Sequence, residues 1–432
     1  MKTMKVILTG ASLSQENKGI NALTLGAILA LLDSNPECEI ELFNQNSTYD
    51  AQVQHGINFR GNTVIVTENY IWSSRFILCG LLHLVFSFMP ARIKKIIFID
   101  NLKIFYFVLM KLKRKKVLPG EPALNKLIHA DYIVNCAEGD SFSDIYGMHV
   151  FLRQSLDKVL AIAYKKKFVI FPQTIGPFNS ALAKRLSKEI LKRAETIYVR
   201  EKRSREYLTR EFGELPNLKD ASDMAFLMEP EKVDDAAFEK FCESGIVTGI
   251  NISGFLYDHP TGKNKILGDA VDYAKISDEI IKSLLSIDPS IKVVFVSHVE
   301  NEDYCASKKI VDVFIKRGFG DRLYVLHDGY TAPQLKYFLS RFEFFTGARM
   351  HACIGAFSTT VPTVPQAYSY KFIGITDKFG LGDFVIDLKK DTIDVIRKKI
   401  IDGYTKRDDI KKRISGALAQ IKSDSLKCGS LP

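Results

Sequence analysis

Seven cysteines are scattered through the 432 residues, none of them in a CxxC pair, and their number is odd. That usage excludes a disulfide framework or a zinc site and points to free thiols in a reducing compartment. No metal site is expected. The N-terminal "MKTMKVILTG" lacks an apolar stretch long enough for a signal peptide, so a cytoplasmic location is expected. The first strand-like run leads into a loop without GxGxxG, which removes the dinucleotide fingerprint. An apolar stretch, Phe76–Ala91, stops at sixteen residues, short of the ~20 that a spanning helix needs.

What is present is an ordinary globular composition, 46% hydrophobic and 25% charged, with a net charge of +10. The length suits two or three domains. Strand-like and helix-like runs alternate along nearly the whole chain. "MKVILTG", "CEIELFN", "NTVIVT", "DYIVNCAEGD", "FVIFPQTIGPF" and "TIYVRE" read as strands, with helical "INALTLGAILALLD" and "ALAKRLSKEILKRAE" among them. After a charged stretch around Glu231 a second series begins: "IVTGINIS", "IKVVFVSH", "RLYVLH", "FEFFTG" and "VPTVPQAYS". The alternation predicts parallel α/β sheets covered by helices, with domains at 1–231 and 232–432. The last helices, from Thr392, could pack on either domain, and the tail "SDSLKCGSLP" reads as frayed.

Open α/β sheets bind ligands beyond the carboxyl ends of their strands, so the polar residues there are the candidates. In the first domain these are Asn17 in the loop opening a helix, and Glu138 and Asp140 in "AEGD". Gln173 in "FPQTIGPF" and Arg200 in "YVREKRS" complete the set. Each also has a plain structural use: a helix cap, a turn, or a salt bridge. In the second domain His298 ends one strand, and "TGARMHAC" sets Arg349 and His351 at a helix start, where free N–H groups attract anions. Arginine adds a fork for phosphate or carboxylate, and histidine exchanges protons near neutrality. Lys371 adds a further positive charge.

Between Arg92 and Lys116 stand nine basic residues against one acid, Asp100, interleaved with Phe, Ile and Leu. This predicts a basic apolar helical insertion at about 70–118. It is either a pair of surface helices on an anionic membrane or a set of core helices with solvated lysines. With no recognised RNA or DNA module, nucleic acid is not an expected partner.

The segments "NKGINAL", "EGDSFSDIYG", "FPQTIGPF", "YVREKRS", "SDMAF", "SHVENED", "GARMHACIGAFSTTVPTV" and "AYSYKFIGI" together resemble the polysaccharide pyruvyl transferase family, over about residues 17 to 375. The resemblance implies a GT-B-like α/β fold, two Rossmann-like domains facing a cleft. It also implies transfer of the enolpyruvyl group of phosphoenolpyruvate to a sugar, as a ketal, with release of phosphate. No cofactor is implied beyond phosphoenolpyruvate as co-substrate. Arg349, His351, Arg200, Lys371 and His298 would meet the donor, with His351 as general acid. Asn17, Glu138, Asp140 and Gln173 would meet the acceptor, a surface glycan or its lipid-linked precursor, with Asp140 also catalytic. A lipid-linked acceptor favours membrane contact through about 76–116, at the inner face of the plasma membrane. Glu138 stands where family members often carry a glycine. A nucleotide-sugar glycosyltransferase and an inert scaffold of a glycan assembly complex are the alternatives.

Overall fold

A computed structural model describes residues 3–47, 51–72, 122–257, 267, 271–369 and 371–432. The expected insertion at about 70–118, with its basic window, lies outside the described residues apart from 70–72, which end a strand.

The first sheet has eight strands in the order β3-β4-β2-β1-β5-β6-β7-β8. These are β1 (Lys5–Thr9), β2 (Glu39–Ser47), β3 (Ala51–Phe59), β4 (Asn62–Trp72), β5 (Tyr132–Asn135), β6 (Lys167–Gln173), β7 (Thr196–Val199) and β8 (Leu218–Asp220). Successive side chains of a strand point to opposite faces, and β1 shows the consequence. Val6 and Leu8 enter one core, and Ile7 between them enters the other. β6 repeats this, with Val169 and Phe171 on one face and Phe168 and Ile170 on the other. A sheet buried on both faces must be covered by helices on both. Each fully buried Val, Ile or Phe contributes roughly 1.5–3 kcal/mol.

All pairings in this sheet are parallel except β3 with β4, an antiparallel hairpin at the edge. Its first arm, "AQVQHGINF", is not among the expected strands. Three of its nine residues are Gln or His, so it lacks the apolar run that marks buried strands.

The second sheet is β11-β10-β9-β12-β13-β14, parallel throughout. Its strands are β9 (Ile246–Asn251), β10 (Ile291–Phe295), β11 (Leu323–Val325), β12 (Phe344–Gly347), β13 (Thr363–Ala367) and β14 (Ile386–Asp387).

The C-terminal helix Arg407–Leu426 bridges the two halves. Ile410, Ile414 and Ile421 join the core of the second sheet, while Leu426, Cys428 and Leu431 pack on that of the first. The tail is therefore not frayed. Cys428 is fully buried, and Gly429 lies so close to the Ala30 carbonyl that a Cβ there would sit 1.9 Å from it.

Candidate active site

In both sheets the chain reverses its direction of strand addition at the central strand, between β1 and β5 and between β9 and β12. Such reversals open a crevice at the carboxyl strand ends. Glu138 and Asp140 follow β5, and Arg349 and His351 follow β12, so four of the candidates stand at the two crevices.

The crevices face one another and touch. Asn17 pairs with Val299 in a short β-bridge, and the Lys18 amide donates to the His298 carbonyl at 3.0 Å. Lys18 pairs with Glu300, and Lys371 with Asp140, which also accepts from the Tyr146 hydroxyl at 2.8 Å. A Cβ on Gly19 would fall 2.4 Å from His351 Nδ1, so only a residue without a side chain lets this ring and helix meet.

His351 lies in the first turn of helix Met350–Ser358. The first backbone N–H there to reach an acceptor is that of Cys353, to the Arg349 carbonyl at 3.2 Å. Among the described residues no acceptor serves the amides of Met350, His351 and Ala352, which is the arrangement an anion completes. The contrast with helix Lys18–Ser34 is direct. There Asn17 caps, taking the Gly19 amide at 3.0 Å, and the Lys18 and Ile20 amides are also bonded. Asn17 is thus a helix cap with its side-chain oxygen committed to the Gly19 amide.

The two arginines are not free forks. Arg349 sends Nε and Nη2 to Asp303, at 2.7 Å for the shortest bond, and Nη2 also to Glu302. Asp303 has no exposed surface and further binds the amides of Gly254, His298 and Val299 and the side chain of Asn251. Burial alone would make Arg349 less basic; the Asp303 charge outweighs it and raises the guanidinium further. Arg349 therefore ties β9, β10 and β12 together first, and only Nη1 has no acceptor among the described residues. Arg200 is fully buried, with Nη1 on Asp223 at 2.6 Å and Nη2 on the Thr174 hydroxyl at 3.0 Å. Its Nε has no hydrogen bond among the described residues and lies 3.4 Å from Glu201.

His351 Nε2 is buried without a hydrogen-bond partner among the described residues, 3.9 Å from Asp223 Oδ2. Burial pulls its pKa down to about 4; Asp223 opposes this and Arg200 adds to it. The imidazole is therefore neutral at pH 7 in the free protein and must gain a proton before it can act as an acid. His298 is held well below its usual range by burial, and further by the ring of His351 and the charges of Arg349 and Lys18 nearby. Its amide binds Asp303 at 3.1 Å and its carbonyl takes the Lys18 amide at 3.0 Å. Burial brings Lys371 down to about 8.

Gln173 has no exposed surface, and its amide nitrogen binds the Asn135 carbonyl and side chain. This bond braces β5 against β6, and Gln173 Oε1 is buried with no hydrogen-bond partner among the described residues. Ala137, Glu138 and Gly139 all have positive φ, at 41°, 52° and 90°. This left-handed turn explains why glycines suit the segment, and it bears a strained Glu138. The Glu138 carboxylate accepts from Ser141 at 3.1 Å and lines a small recess with Ser12, Asn44 and Gln154. The recess wall is fixed by Glu68, fully buried on β4, which takes Ser12 Oγ at 2.6 Å, Leu13 N at 3.1 Å and Asn44 at 3.0 Å, and meets His55 at 3.0 Å. Burial would raise its pKa, but these donors lower it to about 2.

Asp223, Asp303, Thr174 and Glu68 were not among the expected site residues. Three of them sit in segments that carried the family resemblance: Asp223 in "SDMAF", Asp303 in "SHVENED" and Thr174 in "FPQTIGPF". The signal that finds the two aspartates is charge balance: a buried arginine at a strand end needs an acid within reach.

The family model described as polysaccharide pyruvyl transferase matches residues 17–370. No curated protein matches the chain in sequence. Among solved structures, trehalose-phosphate synthase (UDP-forming) from Burkholderia vietnamiensis is similar at a TM-score of 0.54 and 9% identity, covering 99% of this chain and 97% of that one. UDP-GlcNAc 2-epimerase from Neisseria meningitidis, bound to UDP-GlcNAc, is similar at 0.52 and 12%, covering 98% and 97%. A putative UDP-N-acetylglucosamine 2-epimerase from Listeria monocytogenes is similar at 0.52 and 10%, covering 99% and 94%. At such identity the likeness shows the fold, a GT-B arrangement of two Rossmann-like units.

Proposed function

Because the chain belongs to the polysaccharide pyruvyl transferase family, we propose that it transfers the enolpyruvyl group of phosphoenolpyruvate to two hydroxyls of a glycan sugar or its lipid-linked precursor. The observation that carries this reading is the open first turn at Met350–Ala352, facing buried Arg200 across His351. A dianionic phosphate fits amides that lack acceptors, and the carboxylate fits Arg200 Nε and Arg349 Nη1, with oriented donors in a water-poor site. Donor charge raises the proton affinity of His351. The imidazolium then gives its proton to C3, C2 becomes cationic, and a sugar hydroxyl bonds to C2. The hydroxyl's proton returns to the imidazole. A second hydroxyl attacks C2, the C2–O bond to phosphate breaks, and that second proton leaves with the phosphate. Asp140, held by Lys371 and Tyr146, is the group that receives or orients an acceptor hydroxyl. Loss of an acid or base of this kind costs about 10²–10⁴-fold in rate.

No helix among the described residues is long and apolar enough to cross a membrane. We place the enzyme at the inner face of the plasma membrane through about 76–116, on the basic and apolar sequence there. The test is incubation with phosphoenolpyruvate and a polyprenyl-linked oligosaccharide. Phosphate release, with an acceptor heavier by one pyruvylidene group, is expected. Binding of a nucleotide sugar with no effect of phosphoenolpyruvate would reject the reading.

A further inference from the structure

Asp223 lies beyond β8, in the segment leading from the first sheet to the second, with 1% of its side chain exposed. Its two oxygens do different work. Oδ1 takes the Ala225 amide at 2.9 Å and caps the short helix Met224–Leu227. Oδ2 takes Arg200 Nη1 at 2.6 Å and stops 3.9 Å short of His351 Nε2. Among the described residues that nitrogen is buried with no hydrogen-bond partner, and so is Arg200 Nε, 3.4 Å from Glu201. Leaving a buried polar atom unpaired costs about 1–3 kcal/mol. With His351 Nε2 short of Oδ2, and Arg200 Nε unbonded on the guanidinium that Oδ2 holds, the site's bonds are incomplete until something enters.

The surroundings single out Asp223. The His351 ring is met by Arg200 and Asp223 from the first sheet, by Gly19, beside Lys18, from helix Lys18–Ser34, and by His298 from the loop after β10. Arg349 precedes it on its own segment. Glu302 and Asp303 are taken up by Arg349, and Glu300 by Lys18. Asp223 is the acid placed to meet the imidazole.

We propose that Asp223 is a positioning residue that changes partners when the anionic donor arrives: Arg200 turns to the donor's oxygens, and the released Oδ2 accepts Nε2–H of His351. The inference rests on the pyruvyl-transfer reading. Closing 3.9 Å to the ~2.8 Å of a charge-assisted bond takes a shift of about 1 Å. One proton is taken up from solvent, so that the ring becomes imidazolium. The nitrogen on the Gly19 side is left to pass its proton to C3, the N–H bond breaking as the C–H bond forms. The imidazole left behind regains its proton from the attacking hydroxyl. Asp223 itself touches neither donor nor acceptor; it keeps the ring oriented and charged.

The test follows the ¹⁵N signals of His351, assigned with His351→Gln, across pH with and without saturating phosphoenolpyruvate, whose binding is measured by calorimetry. Saturation is expected to raise the protonation midpoint of His351 by about two units, ~10²-fold in proton affinity, in the wild type. Asp223→Glu should keep most of that rise. Asp223→Asn should lose it and lower kcat by ~10²-fold, with KM for phosphoenolpyruvate changed by less than about fivefold. If Asp223→Asn does not fold, the wild-type titration decides. A neutral His351 with donor bound overturns the inference, as does an Asp223→Asn protein that titrates like the wild type. Absence of any heat with phosphoenolpyruvate instead overturns the donor reading, and the inference falls with it.

Discussion

Gly19→Ala is a sharp test of the interlobe site, because the substitution should help the helix that carries it and harm the chemistry. Gly19 stands in the first turn of helix Lys18–Ser34, where alanine has the better intrinsic propensity by up to ~1 kcal/mol. Its added methyl group, however, would lie 2.4 Å from Nδ1 and 2.7 Å from Cγ of His351, and 3.0 Å from the Asn17 side-chain oxygen. Ordinary contact begins near 3.4 Å, so the ring must retreat by about 1 Å or the two sheets must part by as much. Either movement takes the imidazole out of its set position between Gly19 and Asp223. A misplacement of about 1 Å can cost ~10²-fold in rate. The assay is phosphoenolpyruvate-dependent phosphate release with a glycan acceptor, run beside thermal unfolding. The expected result is a rate lower by ~10²-fold with a melting temperature within a few degrees of wild type. Full activity would refute the reasoning, since it would mean the contact between Gly19 and His351 is absent from the working enzyme.

Arg349→Ala should do more than weaken donor binding. It strips the counter-charge from a fully buried Asp303, so denaturant unfolding should show a loss of about 3–5 kcal/mol, and unchanged stability would contradict the pairing. Glu138→Gly relieves a left-handed residue at φ 52° and should stabilise the fold by up to about 1 kcal/mol, read as a higher denaturation midpoint; a lower midpoint would show that the bond to Ser141 outweighs the strain. Acid should destabilise in two stages. The folded pKa of His351, about 4, lies below the ordinary 6.5, so its contribution is present above pH 6.5 and is lost as pH falls toward 4, about 3 kcal/mol. Glu68, lowered to about 2, contributes above its ordinary 4.5 and is lost below that. Denaturant titrations at pH 7, 5.5 and 4.5 check the first stage; a flat profile would mean that His351 is not buried neutral.

The sequence made the strand ends legible because buried parallel strands are continuous apolar runs, and each is followed by a polar turn. "FEFFTGARMHAC" shows both halves of that rule at once. What it could not show is which charges were already spent. Arg349 and Asp303 are 46 residues apart, and Arg200 and Asp223 are 23 apart, so neither pairing can be read from local spacing. The bond of Gln173 to the Asn135 carbonyl, 38 residues away, is hidden from local spacing for the same reason. β3 was missed because Gln52, Gln54 and His55 break the apolar signal on an edge strand, where burial on both faces is not required. The polar tail was misread because Ser425 and Cys428 are buried by helix Lys18–Ser34 and its neighbours, a contact between opposite ends of the chain.

The most direct test of the central claim is a crystal structure with phosphoenolpyruvate, or an unreactive analogue, bound. The account predicts a phosphate on the amides of Met350, His351 and Ala352, with Arg200 turned toward the donor and the His351 ring beside C3. A donor bound outside the crevice, with those amides and Arg200 unchanged from the free protein, would contradict it.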